Sequence, residues 1–219
     1  MESKKRALIT TIWSAESSWK PRTITLIVLC LSLLIFGIGD GLLLLASLGS
    51  SPWTVLAQGI SLKTGVNIGI VTLLISLCVM LTWLPFKQRL GLGPLLNMVL
   101  IALGLGLTAQ FIAPPEGMLL RLVFAISGIV IIGVASAFYL TCHMGAGPRD
   151  GLMVGIYQLT GWKVAYIRTS IEAIVCFLGW LLGGVVGIST LLFAFAVGWV
   201  LQISLHFITR YFSATQQPK

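Results

Sequence analysis

Apolar and polar positions fall in long blocks along this chain. Six segments, 24–48, 66–86, 94–113, 119–142, 162–182 and 185–208, are predominantly apolar. At about 20 residues or more, each predicts a helix able to cross roughly 30 Å of hydrocarbon. Lys87, Gln88 and Arg89 close the second segment, and Pro114, Pro115, Glu116 and Gly117 close the third. Between the fifth and sixth stand only Gly183 and Gly184. That boundary therefore depends on glycine to break an otherwise overlong run.

Two shorter stretches remain, 52–65 and 148–161, each opening on proline and closing on glycine. This asymmetry predicts short helices with Pro at the first turn and Gly just past the end. At about 13 residues, or roughly 20 Å, neither reaches across a bilayer. Each must lie in the interface or re-enter the membrane part-way.

The two short stretches are copies of each other. A shift of 96 positions places Gly49 on Gly145, Pro52 on Pro148, Leu56 on Leu152, Gly59 on Gly155, Ile60 on Ile156, Thr64 on Thr160 and Gly65 on Gly161. The same shift pairs Gly91 with Gly187, Leu105 with Leu201 and Phe111 with Phe207. Self-similarity at one fixed offset marks an internal repeat. Because each copy holds three spans, the second must start on the opposite face of the membrane from the first. The expected fold class is an all-α, polytopic membrane helical bundle, with six transmembrane helices as two inverted three-helix repeats. The expected layout is a basic N-terminal tail (1–22), repeat 1 (23–113), repeat 2 (119–209) and a C-terminal tail (210–219).

Composition agrees with the pattern. Of 219 residues 57% are hydrophobic and 9% charged, against about 25% charged in soluble domains; mean hydropathy is +1.01. This excludes a soluble enzyme, a disordered chain and a secreted disulfide scaffold. The net charge of +8 is a topology signal rather than a nucleic-acid footprint. With the amino terminus inside, the inner segments hold Lys4, Lys5, Arg6, Lys20, Arg22, Lys87, Arg89, Arg149, Lys163, Arg210 and Lys219, and the outer ones only Lys63 and Arg121. Positive residues gather on the cytoplasmic side, so both termini are expected in the cytoplasm. Cys30, Cys78, Cys142 and Cys176 lie in or at the ends of apolar runs without a Cys-x-x-Cys pair, and read as packing residues.

Few residues are placed to carry chemistry. The loop at Gly147, Pro148, Arg149 and Asp150 joins a helix amino terminus to a guanidinium, a combination suited to carboxylate or phosphate. Asp150 could instead cap its own helix, with Arg149 a topology charge. The equivalent loop is Gly49, Ser51, Pro52, Trp53 and Thr54. Arg168 and Glu172, four apart within the fifth span, fall on one helical face and should pair, as a functional site or as a structural or snorkelling ion pair. Asp40, in Gly37-Ile38-Gly39-Asp40-Gly41, is an intramembrane acid that suits a proton or ion site, or one satisfied acid in a glycine packing patch. The Gly-x-Gly-Asp form also occurs in intramembrane aspartyl proteases, but that chemistry needs two adjacent carboxylates, and the only other aspartate is Asp150 in an inner loop. No P-loop, zinc-protease or dinucleotide motif occurs, and His143 and His206 lack metal-site spacing. No cofactor or metal is expected.

The run Gly145-Ala146-Gly147-Pro148-Arg149-Asp150-Gly151-Leu152-Met153, then Arg168-x-x-x-Glu172 and Gly179-Trp180-Leu181-Leu182-Gly183-Gly184, resembles the YczE/YyaS/YitT group of bacterial inner-membrane proteins. Leu48-Gly49-x-Ser51-Pro52-Trp53 and Thr64-Gly65 resemble that group's first repeat. The group often carries an acid after Pro-Trp, where this chain has Thr54. The resemblance implies a bacterial cytoplasmic-membrane protein and does not assign a reaction. The residues favour a small transporter or permease-like protein for an unidentified, anionic solute, and not an enzyme. The alternatives are a non-transporting membrane protein that assists another complex and, more remotely, an intramembrane enzyme. Expected partners are membrane lipids and the solute, a homodimer is compatible, and no nucleic acid is implied.

Overall fold

The computed structural model describes residues 10–15, 17–83, 91–145 and 147–213. Among these the chain forms eight helices: α1 (Thr23–Leu45), α2 (Pro52–Thr64), α3 (Ile68–Leu81), α4 (Leu92–Phe111), α5 (Met118–Thr141), α6 (Pro148–Thr160), α7 (Val164–Leu181) and α8 (Ile188–Phe212). Five of them, α1, α4, α5, α7 and α8, are long and apolar enough to cross a membrane, and the chain is a multi-pass helical membrane protein. The second expected span is described only in part. Helix α3 has 14 residues, about 21 Å, and the expected end at Phe86, with Lys87 and Arg89, lies outside the described residues.

The short helices form as the proline and glycine positions predict. Pro52 and Pro148 occupy the first turns of α2 and α6, and Gly65 and Gly161 cap their ends in the left-handed conformation. The loops ahead of them share a backbone path 96 residues apart. Ser47 and His143 both have positive φ, at 54° and 55°, and Gly49 and Gly145 both sit at φ +106°. A side chain at Gly49 would be strained by that φ, and its Cβ would lie 2.5 Å from the Gly187 nitrogen.

Helix α1 is the central element, packed on α5 and α4, with α8 against α5 and α3 against α4. Small residues let these backbones meet, the arrangement expected where lipid supplies no hydrophobic drive between helices. Gly37 faces Gly104, and a Cβ on Gly128 would lie 2.7 Å from the Gly39 oxygen. Helix α2 rests on α7 and helix α6 on α3. Glycines at four-residue spacing, Gly37 with Gly41 and Gly179 with Gly183 and Gly187, suit close helix packing, and Gly37, Gly41, Gly179 and Gly187 do stand at such contacts. Gly183 does not: it has φ +99° with open space around it, and serves as the turn after α7.

Part of the amino-terminal tail is folded onto the bundle. Trp13 is buried, donates through Nε1 to Thr141 Oγ1 at 3.1 Å, stacks on Phe138 and meets Phe212 at a tilt. Thr11 and Ser213 form an isolated β-bridge, so the two ends of the described chain lie together.

Candidate functional site

The loops that open α2 and α6 come together over one cavity of about 350 Å³. Ser51, Pro52 and Trp53 line it from the first half and Gly147, Pro148, Arg149 and Asp150 from the second. Two helix amino termini, each carrying roughly half a positive charge in unpaired N–H groups, therefore open onto the same space. Trp83 fixes the second of them. Its indole Nε1 donates to the Pro148 carbonyl at 3.0 Å, and its ring fills the space where Gly151 lacks a Cβ.

Arg149 is the cation of the site. Its guanidinium carbon stands 5.1 Å from the centroid of the Trp53 ring, a cation–π contact worth about 2 kcal/mol where water is excluded. It interacts electrostatically with Asp40, Asp150 and Glu172, but none of them forms an ion pair with it within 4.0 Å among the described residues. Its planar fork of donors lines the cavity without an ion-pair partner among the described residues. Trp53 adds another donor: it lines the cavity, it is 6% exposed, and its indole N–H has no partner among the described residues.

Asp40 lies behind the first loop, 1% exposed. Ser51 Oγ donates to its Oδ1 at 3.2 Å, and Ser51 and Thr54 share a hydroxyl hydrogen bond of 2.7 Å. Asp40 Oδ2 is buried without a partner among the described residues. Asp40 of α1 therefore sets a carboxylate against the loop that carries Ser51 and Thr54. The second loop carries its own acid. Asp150 lies in the first turn of α6, where a negative charge is favoured, and Tyr139 donates its hydroxyl to Asp150 Oδ2 at 3.2 Å. The expectation that Asp150 caps its helix is not met, because Gly147 is the N-cap and has no side-chain cap.

Arg168 and Glu172 form the expected i, i+4 pair, with Nε to Oε1 at 2.8 Å, and both line the cavity. Their side chains are 54% and 26% exposed, so the pair looks into the cavity mouth and is not sealed in the bundle. A half-exposed pair stabilises by about 1 kcal/mol or less. Changing Arg168→Leu, Glu172→Gln or both should therefore move the melting temperature little, and a double-mutant cycle should give a coupling below about 1 kcal/mol. A coupling of several kcal/mol would mean that the pair is closed in by something covering the mouth.

Ser136, the repeat equivalent of Asp40, also lines the cavity, with its hydroxyl bonded to the Ile132 carbonyl. Sequence reasoning missed Asn97 and Tyr139. Asn97 of α4 lines the cavity, and its amide would lie 3.2 Å from a Cβ on Gly147. A polar amide inside an apolar span was a signal for it. Tyr139, near the end of its span, looks instead like an interfacial aromatic.

Comparison with known proteins places the chain among bacterial relatives. A model described as a "Family of unknown function (DUF6198)" matches residues 23–206. An "Uncharacterized protein" of Haemophilus influenzae is 51% identical over 210 residues, covering 96% of each chain. The "Uncharacterized membrane protein YczE" of Bacillus subtilis is 35% identical over 73% of this chain and 74% of its own length. The "Uncharacterized protein YyaS" of the same organism is 28% identical over 83% of this chain and 92% of its own. The resemblance to YczE and YyaS read from the loop motifs is borne out. No solved structure matches.

Proposed function

We propose, from the premise that the chain belongs to this DUF6198 family of membrane proteins, that it is a small carrier for an anionic solute rather than an enzyme. The observation that supports this most is the meeting of two short-helix amino termini over a cavity holding Arg149 without an ion pair. Broken helices facing a central site are a recurring plan of secondary transporters. The reading includes six crossings, α3 among them, two inverted halves, residence in the bacterial inner membrane, and both termini in the cytoplasm. The 96-residue spacing of the helix starts, the bridge between Thr11 and Ser213 and the bias of basic residues support it. Reporter tags after residues 60 and 156 should fall on opposite faces of the membrane. The same face for both would rule out inversion.

Charge arithmetic gives the site a coupling. Arg149 and Arg168 line the cavity with Asp150 and Glu172, and Asp40 lies within electrostatic reach of Arg149, so two cations stand against three carboxylates, an excess of one negative charge with every group ionised. An anion is repelled until a carboxylate takes up a proton, so anion and proton favour each other's entry. Asp40 is our candidate for that carboxylate, since Oδ2 is unpartnered. The groups that face it are the hydroxyls of Ser51, just before α2, and Thr54 of α2, and the guanidinium of Arg149 from α6. In purified protein, carboxylates, phosphates and sulfonates should be screened by thermal shift, because a ligand that binds the folded state raises the melting temperature. The binding anion should stabilise more strongly at lower pH, and Asp40→Asn should keep the binding and lose that pH dependence. An unchanged pH profile in Asp40→Asn would remove Asp40 from the coupling. Absence of any anion response would favour a non-transporting membrane protein.

A further inference from the structure

The two halves differ in how they close around the cavity. In the first half α3 packs on α4 through small residues: a Cβ on Gly69 would lie 2.6 Å from the Ala102 oxygen and 2.8 Å from the Gly106 Cα. The equivalent seam in the second half runs between α7 and α8. There the corresponding residues are Ala165, Gly198 and Gln202, and α7 rests on α2 and α6 without comparable packing on α8. A Cβ on Gly198 would meet nothing within 4 Å. Yet Gly198, Phe193, Val197 and Leu201 of α8 line the same cavity as Arg168 and Glu172 of α7. The cavity therefore has a charged end at Arg149 and an apolar wall along α8, and among the described residues no packing of α7 on α8 comparable to the first half closes the seam beside it.

A soluble anion needs no open seam, whereas an anion with a hydrocarbon tail does. We propose that the ligand is an amphiphilic anion, a carboxylate or phosphate monoester on an alkyl chain, which enters from the bilayer between α7 and α8, sets its head on Arg149 and the two helix amino termini, and leaves its tail in the seam. This rests on the anion-site reading above and names its substrate class. The tail gains little by exchanging lipid for the apolar wall, since both are hydrocarbon. Its contribution is to concentrate the ligand in the plane of the opening and to exclude solutes that lack it. Arg168, half exposed at the mouth, offers an incoming head its first cation.

The full chain in phosphatidylcholine nanodiscs can be photolabelled with an alkyl phosphate carrying a diazirine in mid-chain, and the adducts mapped by mass spectrometry. Labelling should be saturable and fall on α7 and α8 around Gly198. Dodecyl phosphate should compete at least about tenfold better than methyl phosphate, and dodecyltrimethylammonium should not compete. Gly198→Leu fills open space and favours the helix, so the protein should fold as well as the parent, while specific labelling falls about tenfold. Binding of methyl phosphate, read by thermal shift, should survive that change. If methyl phosphate and dodecyl phosphate compete equally and Gly198→Leu alters neither, the anion site stands and the lateral amphiphile is overturned. If the alkyl ammonium competes as well as the phosphate and Arg149→Gln has no effect, the seam is a nonspecific apolar groove, and both readings fall. Protection of the seam by a second copy of the chain, seen as a stable dimer crosslinked across α7 and α8, would likewise overturn the proposal.

Discussion

Arg149→Lys is expected to weaken anion binding by about a hundredfold although the charge is kept. A charge-assisted hydrogen bond contributes about 1.5–3 kcal/mol, and lysine loses one arm of a bidentate contact together with the flat stacking on Trp53. The geometry makes this test sharper than the sequence alone allowed. The guanidinium carbon is held 5.1 Å from the Trp53 ring centroid, whereas an ammonium on a flexible stem swings toward Asp150 or Glu172 and pairs with them. Arg149→Gln removes the charge too and should abolish binding. Isothermal titration with the anion found by thermal shift separates the cases. Equal affinity in the lysine variant would reduce Arg149 to a point charge. Asp150→Asn is the matched control, because an amide oxygen also accepts the Tyr139 hydroxyl.

Much of the local structure was legible because its causes are local. Proline at 52 and 148 and glycine at 65 and 161 set the limits of α2 and α6, and the offset of 96 also separates the start of α3 at Ile68 from that of α7 at Val164, and the start of α4 at Leu92 from that of α8 at Ile188. The Arg168 to Glu172 pair followed from helical spacing alone. The assembly of the site was not legible, since its contacts join residues far apart in sequence. Trp53 meets Arg149 across 96 positions, and Tyr139 reaches Asp150 around the turn between two helices. No periodicity encodes such pairings, which depend on how the loops fold back over α1 and α5. The meeting of Asp40 with Thr54 is a second example. In sequence the two are 14 positions apart with unrelated neighbours; in space Ser51 joins them. The docking of Trp13 over Thr141 was hidden by the basic residues around it, which read only as a topology signal.

The largest effect on stability is expected at Gly37, which should tolerate no side chain. A Cβ there would overlap the Ile101 carbonyl oxygen and lie 3.0 Å from the Gly104 Cα and the Leu105 nitrogen. All of these are backbone atoms, so no rotamer change relieves the clash and α1 must move away from α4. Overpacking of this kind costs about 1–3 kcal/mol for a small addition, and Gly37→Leu should cost at least about 3 kcal/mol. In a bilayer the loss is not softened by hydrophobic attraction, because helices that separate simply fill the gap with lipid. Gly198 provides the internal comparison. The same alanine placed there meets open space and should gain up to about 1 kcal/mol from helix propensity. Thermal unfolding in detergent should therefore show Gly37→Ala well below the parent and Gly198→Ala at or above it. The damage should reach the site as well as the seam, since Phe36 and Ile101, on either side of the clash, both line the cavity. Anion binding in Gly37→Ala should weaken even at temperatures where the protein remains folded. A Gly37→Ala protein with parental stability would show that α1 and α4 are not held at backbone contact, and the cavity wall they build would have to be redrawn.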